Sequence, residues 1–383
     1  MVDLLTRIGF GVRGTGDSLE VDVPSARATK DITIEQDLVE EIGRLYRYGN
    51  IPEAILRGDV APPPPDARRR LVRRIQDRLA GGAQYHEVIT YSFQEDALLA
   101  RLGIWGAPHV EVENPVVEGS SKIRRDVLPS LLGLIEENRR HREDVRLFEV
   151  GKGYRPEDAN ERGEPREVHQ LALVLAGPPL DSGARFDAGA LARLRGDVDD
   201  LLEALGLAVP GWSRAEEAAP WAHPAKALRA DWGRAVEGEA PILLAELEPG
   251  VARELGLSGE LASDAAVAYI SLDALLEAPA RPPGYAPIPR FPGVKVDVAV
   301  LAPDELPAGE LVAAIEGAGK GLVAGVELFD LYRGDNVGEG RKSLAWHVLL
   351  QSPQKTLSDK ETQKFLKRLD GALQARGAEL RKG

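Results

Sequence analysis

The stretch from Asn114 to Arg155 places the strongest constraint on the fold of this chain. Four of its apolar residues have the spacing i, i+3, i+4 and i+7 that marks one buried face of a helix: Leu128, Leu131, Leu132 and Ile135. Residues 145–150 follow with a pattern rich in β-forming side chains, and Gly151 is expected to end that strand. A buried helix followed by a strand predicts the core unit of a mixed helix-and-sheet domain.

The residue identities in this stretch are more specific to one protein family than the spacing of its apolar residues. The phrases NP, IRRDVLPSLL and LFEVGKGY resemble the class II synthetase-like module of the bacterial phenylalanyl-tRNA synthetase beta subunit. The predicted strand HEVITYSF (86–93) and the phrase SLDALL (271–276) match the beginning and end of that module. The resemblance implies an α+β, multidomain fold with an antiparallel sheet in residues 68–277. We also expect a helix over 189–207 and an irregular segment over 208–240.

Length and composition limit the class of protein. A chain of 383 residues with 43% hydrophobic and 28% charged residues is typical of a globular protein with two or three domains. It has no cysteine, which excludes disulfides, thiolate metal sites and a cysteine nucleophile. No apolar run approaches the ~20 residues of a membrane span, and the amino terminus lacks a secretory signal pattern. We therefore expect no membrane association and a cytoplasmic location.

Charge is distributed unevenly along the chain. The formal net charge of −13 argues against general coating of a nucleic acid. Residues 320–383, however, carry twelve Lys and Arg against eight Asp and Glu, a net charge of +4. This distribution suits a chain that contacts a polyanion only at its end, and a solvated helix face would give the same count.

Residues 31–46 hold a candidate metal site. Thr33 and Gln36 precede a helical pattern at the spacing of a capping box. Asp37, Glu40 and Glu41 then share one helix face, and with Asp31 they offer four carboxylates to a hard divalent cation. Acidic residues in a first helical turn also complement the helix dipole without any metal.

The same residues carry a resemblance. The phrase DI–E-DLVEEI-RLY-Y-NIP is similar to the end of the beta subunit's helix-rich domain, here 1–60. In that family the matching acids help to bind Mg²⁺ shared with the alpha subunit, which implies this role for Asp31, Asp37, Glu40 and Glu41. The sequence departs from the family at Arg47, where glycine is usual, and at Ala28-Thr29.

Two proline-rich stretches, 61–67 and 278–289, are predicted linkers. Residues 290–383 then have the order β-α-β-β-α-β of a ferredoxin-like sandwich, with a capping box at Ser358 and Glu361. The phrases RFP (290–292), LFDLYRGDNVGEGRKSLAWHVLLQ (328–351) and KTLSDKE (355–361) resemble the family's ferredoxin-fold anticodon-binding domain.

This domain is expected to bind the anticodon region of the tRNA for phenylalanine. Base stacking or phosphate contacts are expected from aromatic and basic side chains: Arg290, Phe329, Tyr332, Arg341, Lys342 and Lys355. Phe329 and Tyr332 lie three apart, so in a regular strand they would point to opposite faces.

We expect no complete active site and therefore no catalytic residue in this chain. Arg155 stands where catalytic class II modules carry an ATP-binding arginine, but residues 156–290 contain no glycine-rich element ending in a second one. GEGRKS (338–343) leads into a strand and is interpreted as a hairpin rather than a phosphate loop. The resemblance implies a catalytically silent scaffold for the alpha subunit, which would bind ATP.

The resemblance extends to the carboxy-terminal part of a beta subunit. Its editing module and amino-terminal tRNA-binding module have no counterpart here, so the chain is expected to be a fragment or a short paralogue without editing activity. The expected function is support of phenylalanine–tRNA ligase in an alpha2-beta2 heterotetramer. The alternative is a stand-alone, non-enzymatic paralogue that binds RNA or a protein.

Overall fold

The structure is a computed structural model that describes residues 1–14, 16–55, 58, 61–62, 64–178, 189–216, 219–232, 241–281, 284 and 288–381. The chain divides into two compact units, Met1–Pro65 and Asp66–Gly383. The division falls within the predicted linker 61–67, and the boundaries at 60 and 278–289 stay predictions; several residues of both linkers lie outside the described ranges. No helix in the described ranges is long and apolar enough to cross a membrane.

The first unit is small. It consists of α1 (Val2–Arg7), a hairpin of β1 (Gly11–Arg13) and β2 (Glu20–Asp22), and α2 (Glu35–Tyr46). Its core is formed by a few apolar side chains: Leu5, Phe10 and Ile32 are buried, and Leu38 and Ile42 of α2 pack against them. This is enough to orient the face of α2 that carries the predicted acids.

The predicted capping box at Thr33 and Gln36 is wrong. Helix α2 begins after Ile34, and the carboxylate of Asp37 accepts the backbone N–H groups of Thr33 at 2.7 Å and Ile34 at 3.0 Å. A carboxylate accepts these two amide protons better than the neutral amide of Gln36. The second predicted capping box, Ser358 with Glu361, is confirmed.

The residue directly after helix α2 has unusual backbone angles. Arg47 has φ 68°, in the range that side chains other than glycine rarely adopt. This explains in physical terms why an arginine is unexpected there.

The second unit contains the larger sheets. Its helices are α3 (Ala67–Gln76), α4 (Asp96–Arg101), α5 (Leu128–Leu132), α6 (Ile135–His141), α7 (Ala190–Ala204), α8 (Pro249–Glu254), α9 (Leu272–Glu277), α10 (Ala308–Gly319) and α11 (Asp359–Gln374). Its strands are β3 (His86–Glu87), β4 (Phe93–Gln94), β5 (Val110–Glu111), β6 (Lys122–Ile123), β7 (Val145–Arg155), β8 (Arg166–Gly177), β9 (Gly211–Arg214), β10 (Ala222–Asp231), β11 (Ile242–Leu247), β12 (Asp264–Ser271), β13 (Val294–Pro303), β14 (Val323–Tyr332), β15 (Arg341–Leu350) and β16 (Glu379–Leu380).

A seven-stranded sheet forms the centre of residues 66–281. Its order is β3-β7-β8-β12-β11-β10-β9, and every pair is antiparallel except β3 with β7. Helices α3 and α7 bury apolar side chains on one face, whereas α4, α5 and α6 bury theirs on the other. The mixed α+β class with an antiparallel sheet is therefore confirmed. The strands between β3 and β7 in the sequence form a separate short sheet of order β4-β6-β5.

The prediction for residues 128–151 is confirmed for the buried apolar face and wrong for the ends of the helix and the strand. Leu128, Leu131, Leu132 and Ile135 are all buried, but α5 ends at Leu132 and Ile135 begins α6. Strand β7 does not end at Gly151 but continues to Arg155. At Gly153 the strand passes so close to the Arg125 backbone that an added Cβ would lie 1.8 Å from the Arg125 carbonyl oxygen. Only glycine permits this close passage, and β7 can therefore continue.

Two further predictions are corrected. HEVITYSF is not one strand, because residues 88–92 leave β3 before β4 begins, and Thr90 turns inward to donate to Glu149 at 2.7 Å. Residues 208–240 are not irregular, because β9 and β10 extend the sheet there. The mixed polar and small residues of β10 concealed its alternation. Residues 217, 218 and 233–240 of this segment lie outside the described ranges.

The last sheet has the predicted ferredoxin-like topology. Its order is β14-β15-β13-β16, with all pairs antiparallel, and α10 and α11 cover one face. Residues 333–340 join β14 to β15, so the segment 338–343 lies at the turn of a hairpin, as expected. A bulge between Leu328 and Asp330 leaves Phe329 without a partner in β15.

The close passage at Gly153 is testable. Gly153→Ala is expected to destabilise the second unit by about 1–3 kcal/mol, because the Arg125 backbone has to move away from the new methyl group. Gly196→Ala is the matched control: Gly196 lies in α7 with nothing near its added Cβ. That substitution should stabilise by about 0.5–1 kcal/mol. Thermal unfolding of both variants tests this, and equal midpoints would contradict it.

Candidate functional site

The four predicted metal-binding acids do not meet around a common point. Arg27 lies between two of them: its Nε donates to Asp31 at 2.7 Å and its Nη2 to Glu41 at 2.9 Å. Arg44 donates to the other oxygen of Glu41. These arginines hold the pKa of the Glu41 carboxyl below its usual value, with the hydrogen bond from Arg27 as the largest cause. Cations of the chain itself therefore neutralise Asp31 and Glu41.

The other two acids have different environments. The Asp37 carboxylate is engaged by the backbone at the start of α2, which lowers its pKa. Glu40 is exposed on α2. Across the described ranges there is no group of three or more acidic, histidine or cysteine side chains arranged to hold a metal. In the described part of the chain, without a partner, the four acids are thus not gathered around one point.

The uncovered face of the ferredoxin-like sheet carries an aromatic pair. The rings of Phe329 and His347 stack at 3.9 Å between centroids and 15° between planes. His347 Nδ1 contacts Asp297 Oδ1 at 2.7 Å, so β14, β15 and β13 each contribute one side chain to a row across the sheet. Phe329 is 40% exposed, and its stacked ring offers a flat surface to solvent.

Tyr332 lies on the same face, contrary to the expectation from its spacing. The bulge at Phe329 adds one residue to the strand, so Leu328 and Leu331 both pack against the core while Phe329 and Tyr332 both stay outside it. Tyr332 is 38% exposed. The sheet therefore presents two aromatic residues to solvent.

The predicted basic residues differ in availability. Arg290 is exposed, and Lys355 is exposed with an ion pair to Glu361 at 2.7 Å. Arg341 is half-buried and pairs with Glu379 at 3.1 Å. Lys342 is buried, which lowers its pKa, and its Nζ donates to the Asp304 carbonyl oxygen at 2.6 Å. Lys342 is thus directed into the protein, away from a ligand on the sheet.

The synthetase-like module holds Arg155 in internal contacts. Arg155 is buried; its Nη2 donates to Asp126 at 2.8 Å and its Nη1 to the Arg125 carbonyl oxygen. Gln170 also donates to Asp126 at 2.8 Å. The arginine at the expected ATP-binding position is therefore part of the internal framework.

Sequence reasoning missed a set of exposed apolar side chains around the three-stranded sheet. Ile89 and Tyr91, in the segment that precedes β4, are 91% and 86% exposed, and Val116 in the β5–β6 connection is 94% exposed. Apolar side chains exposed to this extent commonly mark interaction surfaces. The available signal was HEVITYSF itself, whose residues were predicted to form one strand of the sheet.

Comparisons with protein families cover nearly the whole chain. Residues 51–266 match the phenylalanyl tRNA synthetase beta chain CLM domain, residues 289–381 the ferredoxin-fold anticodon binding domain, and residues 1–48 the tRNA synthetase B5 domain. The first of these matches alone covers more than half of the chain.

Individual relatives agree. The chain is 33% identical to the phenylalanine–tRNA ligase beta subunit of Geobacillus kaustophilus over 99% of this chain and 46% of that protein. It is 37% identical to that of Anaeromyxobacter dehalogenans, also over 99% and 46%. The chain thus spans about half the length of the curated relatives it matches. Among solved structures, pyrrolysyl-tRNA synthetase from Desulfitobacterium hafniense is similar over 55% of this chain and 68% of that one, with 18% identity and a TM-score of 0.41.

The CLM match at the centre of the chain, with the antiparallel sheet that it contains, is followed by an anticodon-binding match on the four-stranded sandwich. The chain therefore belongs to the phenylalanyl-tRNA synthetase beta chain family.

Proposed function

We propose that this chain acts as part of the beta subunit of phenylalanine–tRNA ligase. In this role its synthetase-like module packs against the alpha subunit, and its ferredoxin-like module binds the anticodon region of the tRNA. The alpha subunit, which binds ATP, then attaches phenylalanine to that tRNA. The succession of the three family matches along one chain is the observation that carries this proposal.

The exposed apolar residues support the alpha-subunit contact. Ile89, Tyr91 and Val116 are each more than four-fifths exposed, and a partner surface would remove them from water. Burying an apolar side chain contributes about 1.5–3 kcal/mol. In the chain alone these side chains gain little from burial, so we assign them to the interface within an alpha2-beta2 assembly.

This contact is tested by co-purification with the alpha subunit of the same organism, followed by charging of tRNA with phenylalanine. Ile89→Ser with Tyr91→Ser should weaken the complex at least about tenfold, because two apolar contacts are lost. Leu349→Ser, on the ferredoxin-like module, is the control and should leave the affinity unchanged. Undiminished binding of the double variant would contradict the interface. A chain that binds RNA but no alpha subunit would favour the stand-alone paralogue instead.

The uncovered sheet face supports the anticodon contact. Unpaired bases stack on exposed aromatic rings. The stack on His347 fixes the orientation of the Phe329 ring, so its exposed side can receive a base. Tyr332 is a second aromatic on this face, while Arg290, Arg341 and Lys355 bring positive charge. We assign base stacking to the two aromatics and phosphate contacts to these basic residues, without Lys342.

Phe329→Ala is expected to weaken binding of the anticodon stem-loop about 5- to 150-fold, since stacking contributes about 1–3 kcal/mol per base. Filter binding at fixed salt measures this. Tyr91→Ala removes an exposed aromatic from the other module and should bind RNA as the unchanged chain does. If a chain truncated at Pro289 supported charging as well as the full chain, the anticodon assignment would be wrong.

Magnesium enters the proposal only together with the alpha subunit. In the chain alone, Arg27 and Arg44 satisfy Glu41, and Arg27 satisfies Asp31. We propose that Asp31, Asp37, Glu40 and Glu41 contribute oxygen ligands to Mg²⁺ once the alpha subunit supplies further donors and Arg27 is displaced.

Calorimetric titration should therefore detect no Mg²⁺ binding to the chain alone and binding to the complex. Glu40→Gln should weaken binding in the complex and leave unfolding of the chain unchanged. Glu41→Gln should also destabilise the chain, because Arg27 loses a partner. The pKa of Glu41 is lowered in the folded chain from its ordinary value of 4.5. The stability that Glu41 contributes is therefore complete above pH 4.5 and is lost as the pH falls through the lower pKa of the folded state. Mg²⁺ binding to the isolated chain would contradict this account.

A further inference from the structure

A cavity of about 570 Å³ opens on the α5 side of the seven-stranded sheet. Its apolar wall is formed by Ile104, Leu128, Pro129, Trp221 and Leu243. The volume lies in the range of sites that enclose a small organic molecule, and an apolar wall with few polar groups is typical of such sites. No role assigned above to magnesium, the alpha subunit or tRNA uses this cavity.

The polar part of the wall carries charges of both signs. Arg125, Arg155 and Arg229 line the cavity together with two carboxylates, Asp126 and Glu216. Arg155 is fixed by Asp126, and Arg125 is paired with Glu157. Arg229 is different, because its side chain is 46% exposed and its ion pair with Asp231 is long, at 3.4 Å. Arg229 is therefore the guanidinium that can turn most readily toward an anion at the cavity mouth.

A buried amide adds a second, independent observation. Gln94 lines the cavity at 3% exposure, and its Nε2 has no hydrogen-bond partner in the described part of the chain. An unsatisfied buried donor costs about 1–3 kcal/mol, so such groups usually have a partner. An acceptor oxygen on a molecule inside the cavity would satisfy it.

We propose that this cavity binds a small amphipathic carboxylate with an aromatic or branched apolar body. The body lies against Leu128, Pro129, Trp221 and Leu243, where it loses contact with water. The carboxylate lies near Arg229 and accepts a hydrogen bond from Gln94 Nε2. All of the lining residues named here belong to this chain, so the proposed binding requires neither the alpha subunit nor RNA.

The test uses 3-phenylpropionate as the probe and calorimetric titration of the full chain. We expect saturable binding with a Kd of about 1 mM or tighter, as is reasonable for a molecule of this size. The neutral amide of the probe should bind at least about fivefold more weakly, because it lacks the charge that Arg229 attracts. Gln94→Leu should weaken binding of the carboxylate by about fivefold or more.

Leu243→Trp fills the cavity and should abolish binding. Leu276→Trp is the matched control: Leu276 is an exposed leucine in the same unit and does not line the cavity. It should bind as the unchanged chain does. Thermal unfolding identifies any variant that fails to fold, and Gln94→Leu then decides the question. The proposal is overturned by an absence of saturable binding at about 10 mM probe, or by unchanged binding in both cavity variants.

Discussion

The buried guanidinium of Arg124 is the interaction on which the synthetase-like module depends. It pairs with Glu149 at 2.8 Å, and it donates to the Thr90 hydroxyl and to the Lys152 carbonyl oxygen at the same distance. Three separate segments of chain thus meet on one side chain: the connection before β4, the end of β6, and β7. Breaking a buried pair of this kind by removing one partner typically costs about 3–5 kcal/mol, so the junction of the two sheets is tightly specified.

Internal pairs between an arginine and a carboxylate also occur elsewhere in the chain. Arg155 is held by Asp126, and Arg27 by Asp31 and Glu41, so these cations serve the fold rather than a ligand. A catalytic centre for phosphate chemistry needs cations aimed at charge that develops on the substrate. In the described part of the chain, Arg155 and Arg27 are instead held in internal pairs.

The sequence could predict what depends on local periodicity and could not predict what depends on distant contacts. The stripe from Leu128 to Ile135 and the order of elements after Val294 follow from side-chain spacing. The arginine at position 47 does not by itself indicate a positive φ, and only the glycine that is usual there in the family pointed to such an angle. The capture of Asp31 and Glu41 by Arg27 was also not predictable, since it depends on how a loop folds back onto α2.

The bulge in β14 makes the position of the Phe329 ring independent of the register of the strand. Leu328 pairs with Trp346 and Asp330 with Ala345, so Phe329 is an extra residue between two consecutive rungs of the ladder. A deletion of this one position would leave Leu331 facing the core and would remove only the stacked ring. The register of the ladder on both sides of this point therefore does not depend on the extra residue, and the hydrophobic layer beneath β14 stays the same with or without it.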